Sequence, residues 1–90
     1  MEFEWDLKKA AANVRKHNVT FGEAASVFGD PLAITFEDPD HSMSESRYIT
    51  FGLSQQKRLL IVAHTQRRDR TRIISSRLMD IKERRIYEEG

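Results

Sequence analysis

The hydrophobic repeat of this chain changes from helical to strand period at Gly29-Asp30-Pro31, and that switch limits the folds open to it. Before it, apolar residues recur at helical spacing. Leu7, Ala10, Ala11 and Val14 form one stripe, with Asp6 placed to cap the helix and Asn18 to end it. Phe21, Ala24, Ala25 and Phe28 form a second. Thr20 and Glu23 have capping-box spacing, Val19 and Ala24 hold the staple positions, and Gly29 with Asp30-Pro31 stops the helix. After the switch the pattern is that of strands. Leu32 to Glu37 is short and β-rich, and Arg47, Ile49, Phe51 and Leu53 alternate with Tyr48, Thr50 and Gly52. Leu59 to Gln66 has an unbroken apolar run that suits the centre of a sheet, and Arg72 to Ser76 is the last strand. Asp38-Pro39-Asp40-His41-Ser42 reads as a loop; Ser54-Gln55-Gln56-Lys57 and Asp69-Arg70 read as turns. Links this short favour an antiparallel meander. Asp80, with Glu83 three residues on, caps a closing helix that runs to Tyr87, and Phe3-Glu4-Trp5 alternates as a short edge strand would. The order predicts an α+β fold: a small antiparallel four-stranded sheet packed against two N-terminal helices on one face, with a C-terminal helix.

Ninety residues make a single domain. The longest apolar run, Leu59-Leu60-Ile61-Val62-Ala63, is far short of the roughly 18–20 residues of a membrane span. The acidic start, Met-Glu-Phe-Glu-Trp-Asp, lacks the basic and apolar regions of a signal peptide. With no cysteine there is no disulfide, thiol nucleophile or cysteine-ligated zinc. A cytoplasmic protein is the expectation.

The formal charge of +1 conceals a dipole. Residues 1–56 carry 5 basic and 9 acidic side chains, whereas residues 57–85 carry 10 basic and 3 acidic. Seven of the ten arginines lie between Arg67 and Arg85, mostly in or beside the last strand. Concentrated guanidinium groups imply a polyanion, either phosphate or an acidic protein.

Several motifs in order add to this reading. They are Phe3-Glu4-Trp5-Asp6, Lys16-His17-x-Val19-x-Phe21-x-x-Ala24, Val27-Phe28-x-Asp30-Pro31, Asp40-His41-Ser42, Glu45-x-Arg47, Arg72-Ile73-Ile74-Ser75-x-Arg77 and Glu83-Arg84-Arg85-x-Tyr87-Glu88. Together they resemble the BrnT family, toxins of bacterial type II toxin–antitoxin pairs. The resemblance implies a RelE-like fold and a small endoribonuclease that needs no metal or other cofactor and inhibits translation. It also implies a BrnA-like ribbon-helix-helix antitoxin, paired as two toxins with two antitoxins, through which alone operator DNA is bound. One departure is visible: the position after His17 is often glycine in such sequences, and here it is Asn18, which also tolerates left-handed backbone.

Cutting RNA without a metal needs a base for the 2′-OH, cations for the charge growing on phosphate, and an acid for the leaving 5′-oxygen. Arg72 and Arg77 flank the apolar strand and are the leading candidates, with Arg67, Arg47 on a neighbouring strand, and Lys16 as further phosphate ligands. Arg68 and Arg70, near the turn, read as solvated surface. His17 at a helix end, His64 on the central strand and Tyr87 on the last helix are candidates for proton transfer or positioning. Each also has a structural reading: a helix cap, a satisfied core histidine and a helix pin. His41 reads as a loop residue, and Asp38, Asp40 and His41 are too weakly spaced to predict a metal. Phe3, Trp5 and Phe36 read as core or partner contacts. The second helix carries Glu23 and no basic residue, which argues against direct reading of DNA by a helix-turn-helix. An endoribonuclease toxin is thus the first hypothesis. A non-catalytic, antitoxin-dependent transcriptional corepressor is the alternative.

Overall fold

The computed structural model describes residues 1–41 and 46–90, without the side chain of residue 41. The expectations for His41, Ser42 and Glu45 therefore lie outside the described residues. The chain runs β1 (Glu2–Glu4), α1 (Leu7–His17), α2 (Phe21–Ser26), a 3₁₀ turn (Val27–Gly29), β2 (Ile34–Glu37), a second 3₁₀ turn (Pro39–His41), β3 (Arg47–Leu53), β4 (Leu59–Arg67), β5 (Arg70–Leu78) and α3 (Ile81–Glu89). Local chemistry sets the helix ends. Asp6 accepts from the Lys8 and Lys9 amides, and Asn18 closes α1 with φ 57°. Asp80 and Glu83 form a complete capping box on α3. No described helix is long and apolar enough to cross a membrane.

The sheet corrects the predicted architecture. It has five strands in the order β1-β5-β4-β3-β2 and is mixed, because β1 pairs parallel to β5 while the other pairs are antiparallel. The two N-terminal helices lie between β1 and the meander, so β1 can return beside β5 in parallel. Phe3 secures it by packing on Phe28, with ring centroids 5.2 Å apart.

The helices are not all on one face. Val19, Phe21, Ala24 and Val27 pack with Leu60, Val62 and Ile73 into the main core, on the face covered by α1 and α2. A smaller cluster of Phe51, Ile61 and Met79, with Ile49, Leu59 and Tyr87, joins α3 to the opposite face. Close approach on the first face requires Gly52: a Cβ there would sit 2.5 Å from Val27 Cγ1.

The predicted stripe on α1 is also turned. Leu7 and Val14 are exposed, and the helix buries Asn13 instead. β1 pairs only with Arg70 to Arg72, leaving the rest of that β5 edge without a strand. Asn13 fills the gap: its amide donates to the Ser76 and Val19 carbonyls (2.9 Å each) and accepts from the Ser76 N–H (3.1 Å). A side chain thus substitutes for a strand, and buried backbone groups stay paired.

A bulge between β4 and β5 decides where the arginines face. Ala63 pairs with Ser75 and His64 with Ile73, so Ile74 is an extra residue on β5. In an uninterrupted strand, Arg72 and Arg77 are five residues apart and face opposite ways. The inserted residue restores them to the same side, and Ile73 and Ser76 to the other.

Candidate functional site

On the face opposite α1 and α2, the register sets Arg47 of β3, Thr65 of β4, Arg72 of β5 and Glu4 of β1 in one row across four strands. Arg47 and Arg72 are two strand spacings apart, about 10 Å. Arg67 and Arg70 pair in the next row toward the β4–β5 turn, beside Glu2. Arg77 lies in the row of Ile61 and Phe51, at the edge of α3. The structure therefore brings Arg47, Arg67, Arg72 and Arg77 onto one face, and adds Arg70.

Carboxylates from both ends of the chain orient two of these groups. Arg72 Nη1 donates to Glu4 Oε2 at 2.9 Å. Arg77 makes a bidentate pair with Glu83, 2.8 Å at each oxygen, and Glu83 also accepts from the Asp80 amide. The hydrogen bonds with Arg77 hold the Glu83 carboxyl below its ordinary range, and Glu83 raises the Arg77 guanidinium in turn. Glu4 and Glu83 join the candidate site through these bonds; the sequence reading gave Glu83 a capping role and Glu4 none. The signal for Glu4 was the Phe3-Glu4-Trp5 alternation, which sends Phe3 and Glu4 to opposite faces.

Tyr87 also lies on the arginine side, but its hydroxyl is engaged. It donates to Asp30 Oδ2 at 2.6 Å, and the same oxygen accepts from the Leu53 amide at 2.8 Å. That bond, with burial, pushes the Tyr87 phenol up to about 12. Burial opposes ionisation of Asp30, yet the bonds from Tyr87, Leu53 and Leu32 outweigh it and lower its carboxyl.

His64 and His17 are elsewhere. His64 is buried on the helix-covered face, with Nε2 2.7 Å from Thr50 Oγ1, Phe28 edge-on at 4.8 Å and Tyr48 stacked at 5.9 Å. Burial drives its imidazole down to about 4, so it is neutral at pH 7. Lys16 and His17 end α1, which packs in that same layer. None of the three shares the arginine face. Among the described residues, no group of three or more His, Cys, Asp and Glu side chains is arranged to hold a metal ion.

The family model described as the ribonuclease toxin BrnT of a type II toxin-antitoxin system matches residues 5–83, most of the chain. The chain belongs to the BrnT family. The matched span runs from Trp5 to the carboxylate that grips Arg77, and so includes β3, β4 and β5 whole. BrnT toxins act within type II systems, which implies a cognate antitoxin. The crystal structure of the Brucella abortus ribonuclease toxin, BrnT, is similar in fold: the TM-score is 0.68 at 19% identity, covering 89% of this chain and 97% of that one. No curated protein matches the chain.

Proposed function

We propose that this BrnT-family protein is a cytoplasmic endoribonuclease toxin that cuts RNA without a metal and thereby inhibits translation. The observation that carries this reading is the β5 bulge, which aligns Arg72 and Arg77 with Arg47 and Arg67 on one sheet face. Planar guanidinium groups pair with two phosphate oxygens at once, and they stabilise the extra negative charge of a pentacovalent phosphorane. In this reading a substrate phosphate shares Arg72 with Glu4 and Arg77 with Glu83, while Arg47 and Arg67 hold flanking phosphates. The ribose 2′-oxygen attacks phosphorus and its proton passes to the Glu4 carboxylate. The P–O5′ bond breaks, the leaving 5′-oxygen takes a proton from solvent, and a 2′,3′-cyclic phosphate and a 5′-hydroxyl result. Tyr87 acts as a positioning residue by anchoring α3 and hence Glu83. His64, His17 and Lys16 serve the fold and take no part in the chemistry.

A BrnA-like ribbon-helix-helix antitoxin, in a complex of two toxins and two antitoxins, neutralises the activity and alone reads operator DNA. The test is cleavage of RNA by purified protein in EDTA, beside Arg72→Ala and Arg77→Ala. Wild type should cut, and each variant should lose on the order of 10²-fold in rate. No cleavage by wild type would favour the non-catalytic corepressor, and undiminished cleavage by both variants would remove the arginines from the site.

A further inference from the structure

The tip of the β4–β5 hairpin, like the β3–β4 turn at Lys57, holds a non-glycine residue in left-handed backbone. Arg67 and Arg70 form the closing pair of a two-residue turn, Arg68-Asp69. Arg68 occupies the left-handed region with φ 56°. Glycine, asparagine or aspartate is the ordinary occupant of such a turn position, because a Cβ there crowds the following carbonyl. An arginine held in that conformation invites a functional reading.

Two further observations point to an anion. A cleft of about 630 Å³ opens here, lined by Glu4, Arg67, Arg68, Asp69 and Arg70. With Arg72 on Glu4, four guanidinium groups meet two carboxylates around it. Arg70 Nε meets Glu2 Oε1 at a long 3.5 Å between exposed side chains, a contact that contributes little. The tip is also braced: Gln66 Nε2 donates to the Arg68 carbonyl at 3.1 Å, and Thr71 Oγ1 donates to Gln66 Oε1 at 3.3 Å. A fixed backbone presenting cations around a cleft is preorganised for phosphate.

We propose that the hairpin tip is a second phosphate-binding site, where Arg68 and Arg70 join Arg67 in holding the phosphate that flanks the bond being cut. The proposal rests on the ribonuclease reading and extends it. The site lies one row beyond Arg72, so a strand crossing Arg77 and Arg72 continues into the cleft.

Arg68→Gly separates the guanidinium from the turn, since glycine adopts the same backbone without strain. Binding is read by fluorescence anisotropy with a short 2′-O-methyl RNA that cannot be cut, across a salt series. Arg68→Gly and Arg70→Ala should each weaken binding about five-fold at low salt and reduce the salt slope by about 0.7. Arg68→Lys should recover most of the loss, and the melting temperature of Arg68→Gly should not fall. Unchanged affinity and slope in both variants, with wild type still binding and cutting RNA, would overturn the proposal and leave the ribonuclease reading intact. Arg68→Lys binding as weakly as Arg68→Gly would also overturn it. A wild type that neither binds nor cuts RNA would overturn both.

Discussion

Replacing Tyr87 with phenylalanine separates an anchoring tyrosine from a reacting one. The substitution deletes one oxygen and keeps the ring against Phe51 and Ile61. What is lost is a 2.6 Å hydrogen bond to an ionised carboxylate, a class worth about 1.5–3 kcal/mol. Asp30 keeps the Leu53 and Leu32 amides as donors and the site is partly exposed, so the expected loss is about 1–2 kcal/mol. The pH dependence has a definite sign. The phenol sits at about 12 in the folded protein and at about 10 when unfolded, so its contribution is complete below pH 10. It fades as pH rises from 10 toward 12. Urea unfolding of wild type and Tyr87→Phe at a series of pH values should give a gap of about 1–2 kcal/mol at pH 7.5 that narrows above pH 10. Cleavage of RNA by folded Tyr87→Phe should persist. A gap below about 0.5 kcal/mol at pH 7.5 would refute the hydrogen-bond reasoning. Lost cleavage with stability intact would return the hydroxyl to the chemistry.

Three further outcomes test the supporting structure. Asn13→Ala leaves the Ser76 amide and carbonyl and the Val19 carbonyl without their partner, and should destabilise by about 2–4 kcal/mol in urea unfolding. Gly52→Ala drives a methyl into Val27 and should cost about 1–3 kcal/mol, read as a lower melting temperature. The His64 ring should titrate by NMR near pH 4 and not near 6.5. Its folded value lies below the unfolded one, so the unfolded state binds the extra proton, and stability falls as pH drops from 6.5 to 4, by on the order of 3 kcal/mol.

Sequence made the elements legible where local chemistry sets them. Asp6, Asn18, Thr20 and Asp80 act at helix ends as their positions predict. Val19 and Ala24, read as a staple, are fully buried in the core. Where tertiary demand overrides pattern, the reading fails. Glu23 fits a capping box by spacing, but its carboxylate turns to the Arg58 guanidinium and the Ser54 hydroxyl. The α1 stripe misleads because the β5 edge needs an amide, which draws Asn13 inward and turns Leu7 outward. A three-residue β1 carries too little pattern to reveal a parallel partner almost seventy residues away. The candidate site was legible as a residue type and a strand, not as a face. Arg72 and Arg77 stood out by charge, yet simple alternation puts them on opposite sides, and only the register discloses the residue inserted at Ile74.

Whether RNA lies on the arginine face or on the helix side can be read in one NMR titration. Uncleavable 2′-O-methyl RNA is titrated into labelled protein while the arginine Nε–Hε and histidine ring signals are followed by NMR. Shifts are expected at Arg47, Arg67, Arg72 and Arg77, and none at Arg15 of α1 or the buried His64 ring. Shifts confined to Arg15, His17 and His64, with the four arginines silent, would contradict the arginine-face reading.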